Sequence, residues 1–212
     1  SLNLPNNIIY DFGGFDETKK APIVDGISNC KLFDNVLVDG EIIVDNEDSS
    51  FSYYHDSKVS YLKSLVDANK TPEYEYSGIR YWRPPSDWKK VLRSGFYGKY
   101  VRSAAYTRSG HDERTATWTA PIDHGAYYDV YCHVEKINVQ RRRHRETKKA
   151  DYNFTIYHDG GEDKITLRDG DLENGWNYLG TYFITPSTGK VVLSNKSVGA
   201  MIFADAVKWV EN

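Results

Sequence analysis

The stretch from Gly175 to Val210 constrains the fold most, because it predicts three consecutive strands with a tryptophan near either end. Apolar and polar residues alternate along it with a period of two, and Pro186–Gly189 supplies a turn. From Gly95 onward the same alternation recurs, with turn residues at short intervals. Many short strands without a repeat period predict an all-β chain, a two-sheet antiparallel β-sandwich of the jelly-roll type.

The alternation also predicts which side chains face the core. One face of the run 126–134 carries Tyr128, Val130, Cys132 and Val134, and we expect it to point inward. The opposite face carries Tyr127, Asp129, Tyr131, His133 and Glu135. The same reasoning places Tyr152, Phe154, Ile156, Ile165 and Leu167 inward, with 159–163 as the hairpin turn between their strands.

Gly180 interrupts the alternation, because Leu179 is out of phase with Tyr182 and Ile184. A β-bulge at Gly180 would bring Leu179 to the inner side. We expect Trp176, which is in phase with Tyr182, to help close the sandwich and Trp209 to seal its edge. Asp205 is an isolated carboxylate within an apolar strand over 201–210, so a buried partner is expected, either Arg102 or a backbone amide.

The net charge of −3 over 212 residues excludes a generally basic nucleic-acid binder. Seven Lys and Arg fall between Lys136 and Lys149, but no base-stacking motif accompanies them. No apolar run approaches the roughly 20 residues of a membrane span. Cys30 and Cys132 are too few for a disulfide scaffold, and whether they pair is open.

The chain is predicted to contain one main domain. Residues 1–40 mix short apolar runs with Asn, Gly and Pro, and we interpret them as a tail or linker from a preceding domain. A β-sandwich module follows over 41–212. Within it, residues 57–70 have apolar side chains at helical spacing, which predicts one short helix in an insertion.

Seven short motifs occur in an order that resembles a known family. They are IIVDNEDSSF (42–51), FYGKYVRSA (96–104), TATWTAPI (115–122), GAYYDVYCHV (125–134), YNFTIYHDGG (152–161), WNYLGTYFI (176–184) and FADAVKWV (203–210). Together they are similar to the golvesin-type or xanthan-lyase-type carbohydrate-binding-like domain of bacterial secreted or surface proteins. The resemblance covers roughly residues 41–212.

The resemblance implies a non-catalytic carbohydrate-binding or surface-attachment module of a larger exported bacterial protein. Its partners would be a polysaccharide or cell-surface glycan and the neighbouring domains of the parent protein. A secreted or cell-surface location would follow. Two alternatives stay open, a structural spacer that packs on neighbouring domains and a polysaccharide lyase.

The segment YWRPPSDW offers the ingredients of a sugar site. Tyr81, Trp82 and Trp88 could supply flat aromatic platforms, and Arg83 could bind hydroxyl groups beside a stiff Pro-Pro pair. The alternative is that these tryptophans plug the mouth of the sandwich or pack against another domain.

Two further groups are candidate ligand contacts. Tyr100 and Arg102 share a face of the strand that begins near Phe96. Arg141, Arg142 and Arg143 lie in a basic run, which is either a solvated hairpin loop or a contact for carboxylate or sulfate groups of an acidic polysaccharide.

We predict no catalytic residues, no metal ligands and no cofactor. Serine-hydrolase elbows, HExxH, phosphate loops and zinc clusters are all missing from the sequence. The acidic turns 45–48, 159–163 and 169–175 could supply oxygen atoms to Ca²⁺, although none has EF-hand spacing.

Overall fold

The structure is a computed structural model that describes residues 15–16, 21–22, 40–55, 76–98, 101–137 and 150–212. The chain divides into two compact units, Ser1–Leu37 and Val38–Asn212. In the first unit the described residues form β1 (Phe15–Asp16) and β2 (Ala21–Pro22), which pair antiparallel. Several predictions lie outside the described residues: Cys30, the helix over 57–70, Tyr100, Arg141, Arg142 and Arg143.

The second unit is all-β in the ranges that the structure describes. No helix in those ranges is long and apolar enough to cross a membrane. The larger sheet has five strands: β4 (Phe51–His55), β8 (Arg114–Thr119), β10 (Tyr152–His158), β11 (Gly161–Leu167) and β13 (Lys190–Ser194). Their order is β11-β10-β13-β8-β4, and every pair of neighbours is antiparallel.

A four-stranded antiparallel sheet forms the second layer of the sandwich. Its strands are β3 (Glu41–Val44), β9 (Ala126–Val134), β12 (Gly175–Ile184) and β15 (Val207–Glu211), in the order β12-β9-β15-β3. The inward residues predicted for β9 are confirmed, because Tyr128, Val130, Cys132 and Val134 are all buried. Trp118 from β8 and Trp209 from β15 lie in the core that both sheets share.

A third, smaller sheet is a difference from the predicted two. It consists of β5 (Tyr76–Ser77), β6 (Lys89–Leu92), β7 (Ser103–Arg108) and β14 (Met201–Ala204), in the order β14-β7-β6-β5. The pair β5–β6 is parallel and the other two pairs are antiparallel. One face of this sheet contributes Ala105, Ile202 and Ala204 to the main core. Its other face packs Val91, Tyr106 and Phe203 into a second cluster.

The predicted bulge at Gly180 is confirmed, and it decides the position of Trp176. The pairing of β12 with β9 shifts register between Tyr178 and Gly180, and Gly180 has φ +143°. The shift places Leu179 on the buried side with Tyr182 and Ile184. Trp176 precedes the bulge, so the shift moves it to the outer face. The prediction that Trp176 closes the sandwich is therefore wrong.

The predicted single strand over 201–210 is two strands in different sheets. β14 ends at Ala204 and β15 begins at Val207, so Asp205 and Ala206 carry the chain from the small sheet to the four-stranded one. The Asp205 carbonyl accepts the Trp118 indole N–H at 3.1 Å, and the Ala206 carbonyl accepts the His133 backbone N–H at 2.8 Å. These hydrogen bonds fix the point at which the chain changes sheets. Because the residues before and after it belong to different sheets, a single alternation of inner and outer faces does not run from Met201 to Trp209.

Candidate functional site

The outward side chains of β9 and β12 form a row of rings on the four-stranded sheet. Residues paired across antiparallel strands share a face, and the register pairs Tyr127 with Phe183, Tyr131 with Tyr178, and His133 with Trp176. We call these six residues the outer aromatic face. The β9 members are the residues that alternation predicts to point outward, and the bulge in β12 decides which residues of β12 lie beside them.

Each cross-strand pair is in ring contact. The ring centroids of Tyr127 and Phe183 are 5.3 Å apart with an interplanar angle of 67°. Those of Tyr131 and Tyr178 are also 5.3 Å apart, and those of His133 and Trp176 are 5.1 Å apart. Tilted and edge-to-face contacts at this distance contribute about 0.5–1.5 kcal/mol each beyond the buried area. The contacts hold the rings in fixed orientations.

The outer aromatic face is open to solvent at its Tyr127–Phe183 end and at Tyr178 in the middle pair. Tyr127, Tyr178 and Phe183 are 59%, 52% and 41% exposed, whereas Trp176 and Tyr131 are half-buried. Exposed apolar side chains that lie next to one another in a patch mark interaction surfaces, unlike the scattered single apolar residues found on every protein surface. The geometry therefore presents ring surface to a ligand along the strand direction.

Hydrogen-bonding groups lie between the aromatic pairs. Thr181 Oγ1 donates to Asp129 Oδ1, and Asn212 Nδ2 donates to the same oxygen at 3.1 Å. Tyr178 Oη and Thr181 Oγ1 are 2.6 Å apart. Because the single Thr181 hydroxyl proton goes to Asp129, Tyr178 is the donor in that contact. The rings and this polar network together suit a ligand with both apolar faces and hydroxyl groups.

Lys208 crosses the outer aromatic face from β15. Its Nζ is 5.2 Å from the ring centroid of Tyr131 and 5.1 Å from that of Trp176. The same atom is 3.2 Å from Glu41 Oε1. Cation–π contacts of this length are attractive, and the Glu41 carboxylate offsets the charge. Lys208 therefore adds a donor without making this part of the face strongly basic.

A buried polar cluster supports the end of the face at His133. His133 Nδ1 is 2.8 Å from Asp205 Oδ2, and the Tyr97 backbone N–H donates to both Asp205 carboxyl oxygens at 3.2 Å. The Tyr97 ring lies 5.3 Å from that of Trp176. Asp205 is thus capped by a backbone amide, one of the two partners expected. The second partner is His133, which sequence reasoning missed, and it takes the place of Arg102.

Burial favours the neutral form of each group in this cluster. It raises the pKa of Asp205 well above its usual range and lowers the pKa of His133 to about 4. Asp45 is also buried, and burial together with the nearby Asp205 carboxylate raises its pKa to about 8. The cluster therefore holds two carboxyl groups that bind protons more tightly in the folded chain than in the unfolded one.

The raised pKa of Asp45 gives the stability of the fold a testable pH dependence. A carboxyl group with a raised folded-state pKa stabilises the fold below its unfolded pKa of about 4, and the stabilisation is lost as the pH rises through about 8. Asp45→Asn keeps the oxygen that accepts the Asn46 N–H but cannot ionise. As the pH rises from 5 to about 8, we expect the free energy of unfolding of the variant to increase by at least about 1.4 kcal/mol relative to that of the wild type. This is the equivalent of one pKa unit.

The measurement is urea unfolding of both proteins across that pH range. The difference between them reports the ionisation of Asp45, including its repulsion of the Asp205 carboxylate, because every other titrating group is common to both proteins. A constant difference from pH 5 to pH 8 would contradict the raised pKa.

The predicted loop site is only partly exposed. Trp82 is 78% exposed and Arg83 is exposed, whereas Tyr81 packs against the second core cluster. Trp88 is 4% exposed, and its indole N–H donates to the Tyr54 carbonyl at 3.3 Å. The prediction that Trp88 is a ligand platform is therefore corrected, since its ring is buried in the core. The loop keeps one exposed ring, that of Trp82.

Arg102 and the acidic turns make local contacts. Arg102 is exposed, and its Nη1 donates to the Ser94 carbonyl at 2.8 Å. In the turn 45–48, the Asp45 N–H donates to Asp48 Oδ2 at 2.8 Å. Within the described ranges, no three His, Cys, Asp or Glu side chains cluster as ligands for a metal ion. That the chain has no metal ligands, including for Ca²⁺ at these turns, stays a prediction.

Comparisons with known proteins identify the family. Residues 80–211 match the golvesin C-terminal domain. This chain belongs to that family. No curated protein matches the chain.

Among solved structures, this golvesin-family chain is similar to a xanthan lyase from Paenibacillus, with 20% sequence identity and a TM-score of 0.53. The match covers 82% of this chain and 13% of that one, and it shows a common fold. Two matches at 14% identity have TM-scores too low to support an argument. One is a GH87 α-1,3-glucanase catalytic domain in complex with tetrasaccharides, with a TM-score of 0.33. That match covers 82% of this chain and 28% of the glucanase chain. The other is TmCBM61 in complex with β-1,4-galactotriose, with a TM-score of 0.31. That match covers 63% of this chain and 86% of the TmCBM61 chain.

Proposed function

We propose that this chain is a carbohydrate-binding module and that the outer aromatic face is its polysaccharide site. The observation that carries the proposal is the row of three ring pairs, with Tyr127 and Phe183 exposed at one end and Tyr178 exposed in the middle pair. The face of a pyranose ring is apolar while its rim is hydroxylated, so a site needs flat rings beside hydrogen-bonding groups. The outer aromatic face combines both.

The length of the row favours an extended chain over a single sugar. The open part of the row runs from Tyr127 to the pair of Tyr131 and Tyr178. Tyr127 and Tyr131 are four residues apart on β9, which corresponds to about 13 Å of strand. An open row of this length can contact several sugar units at once. The many weak contacts along it would then add up to useful affinity, although no single one is strong.

We infer a binding role without catalysis for this face. Asp129 is the carboxylate between the ring pairs, and two donors, from Thr181 and Asn212, occupy its Oδ1. In both contacts the Asp129 side chain acts as a hydrogen-bond acceptor, which suits recognition of hydroxyl groups.

Family membership supports a place in a larger, exported bacterial protein. The similar region of the xanthan lyase is 13% of that chain, so a unit of this fold occurs there as a small part of a large enzyme. We propose the same arrangement here, with this chain attaching its parent protein to a secreted or cell-surface glycan.

The test is retention of the purified chain in native gels that contain one soluble polysaccharide each. The panel includes xyloglucan, galactan and glucomannan as neutral chains, and xanthan, alginate and polygalacturonate as acidic ones. We expect at least one to slow the chain relative to a gel without polysaccharide. Normal migration in every gel would overturn the proposal and favour the structural spacer, for which exposed rings such as Trp82 would be contacts with a neighbouring domain.

A further inference from the structure

A cavity lies at the end of the five-stranded sheet, on the sheet that does not carry the outer aromatic face. Its volume is about 470 Å³, which falls within the usual size of small-molecule sites. The lining includes Thr119, Tyr157, Glu162 and Lys190 from the strands, with Pro186 and Ser187 from the turn between β12 and β13.

Four of the lining side chains form one row across four strands. Glu162 pairs with Tyr157, Tyr157 pairs with Lys190, and Lys190 pairs with Thr119. Directly paired residues point to the same side of a sheet. The row therefore offers a carboxylate, a phenol ring, an ammonium group and a hydroxyl group side by side.

The walls of the cavity are locked to each other. Asp159, in the turn between β10 and β11, accepts hydrogen bonds from the hydroxyl groups of Thr185 at 2.8 Å and Thr188 at 2.7 Å. Its backbone N–H donates to the Phe183 carbonyl at 3.1 Å. The hairpin turn and the Pro186–Gly189 turn are thus held in place before any ligand enters. Preorganised walls reduce the entropy that a ligand must lose on binding.

The charges of the cavity point to a neutral ligand. Its lining carries one carboxylate, Glu162, one ammonium group, Lys190, and one imidazole, His158, whose ring stacks on that of Tyr182. Lys190 Nζ lies 3.9 Å from the ring centroid of Tyr157, and Glu162 Oε1 lies 3.2 Å from Lys164 Nζ. The Asp159 carboxylate on the adjoining turn would repel an anion. A hydroxyl-rich neutral molecule can instead donate to Glu162 and accept from Lys190, Thr119 and Ser187.

We propose that this cavity is a second saccharide site, which takes the end of a neutral sugar chain. The ligand class rests on the proposed carbohydrate-binding function, but the site is independent of the outer aromatic face. A turn forms one wall here, so the cavity suits a chain end, whereas the open row on the other sheet suits the middle of a chain.

The experiment is a titration of the ¹⁵N-labelled chain with D-glucose, D-galactose and D-mannose, followed by NMR. We expect one of the sugars to give saturable shifts at the amides of Gly161, Ser187 and Gly189, which border the cavity. D-Glucuronate should bind more weakly than the best neutral sugar. Lys190→Ala should weaken binding about tenfold, which corresponds to about 1.4 kcal/mol. Lys196→Ala is the matched control, because Lys196 is an exposed lysine beyond the other end of β13.

Two results would overturn the second site: no saturable shift at these amides with any neutral sugar, or equal loss in the two lysine variants. Tighter binding of glucuronate would overturn the neutral ligand class. If the chain is still retained by a polysaccharide gel, only the second site fails. If, in addition, no polysaccharide gel retains the wild-type chain, the proposed function fails too.

Discussion

Replacing Trp118 with alanine is expected to cost about 3–5 kcal/mol of unfolding free energy. Trp118 is 1% exposed, and its ring centroid lies 5.3 Å from that of Phe51 and 6.5 Å from that of Phe154. The substitution leaves a large cavity in the core that both main sheets share. It also removes the donor to the Asp205 carbonyl, at the point where the chain switches sheets. An unsatisfied buried carbonyl adds its own desolvation cost.

The matched control is Trp82→Ala, the same substitution at a ring that is 78% exposed. A substitution at such a surface position is expected to change stability by less than about 0.5 kcal/mol. Urea unfolding of both variants measures the difference, provided that the slope against urea concentration is unchanged. Similar losses of unfolding free energy in both variants would contradict the assignment of Trp118 to the core and of Trp82 to an exposed loop.

The strands and their inner faces could be predicted because they depend on local alternation. Tyr128, Val130 and Cys132 repeat every second residue, and a strand with one buried face imposes that period. A hairpin here was equally visible from the glycine pair at 160–161, but its loop is shorter than the predicted 159–163, because β10 ends at His158 and β11 begins at Gly161. Gly161 has φ +128°, a conformation that glycine adopts without strain.

The bulge was predictable, and its effect on Trp176 could have been predicted with it. Trp176 and Leu179 are three residues apart, so they lie on opposite faces, and a bulge that turns Leu179 inward must turn Trp176 outward. The expectation that Trp176 closes the sandwich kept the phase of a strand without a bulge. The switch of sheets at Asp205 could not be predicted in this way, because it depends on pairing with strands that are distant in the chain.

The outer aromatic face could have been found from its outward half. Tyr127, Asp129 and Tyr131 were already assigned to the face opposite the core, which is a signal for a surface site. Their partners in β12 become neighbours only through the strand register. In the predicted loop, no period links Trp82 and Trp88, so sequence could not show that one is exposed and the other buried.

Loss of polysaccharide affinity is the second large effect that we expect. Tyr178→Ala should weaken binding about tenfold, because one stacked ring contributes about 1.4 kcal/mol. Removing Tyr127 as well should weaken it about 100-fold, since the two rings belong to different pairs and contact different sugar units. Both rings are more than half exposed, so the fold should survive the double substitution.

Tyr54→Ala is the matched control for these variants. Tyr54 is a tyrosine that is 62% exposed, but it lies on β4 of the five-stranded sheet. Its removal takes away a ring of similar exposure without touching the outer aromatic face. Trp82→Ala serves as a second control, because it removes the exposed ring of the loop that the sequence had favoured.

The most direct test of the outer aromatic face is isothermal titration calorimetry of these variants with a polysaccharide that retains the wild-type chain. We expect wild type, Tyr54→Ala and Trp82→Ala to bind with equal affinity, Tyr178→Ala to bind about tenfold more weakly, and the double variant about 100-fold more weakly. Undiminished binding by the double variant, or loss of binding in Trp82→Ala alone, would contradict the account.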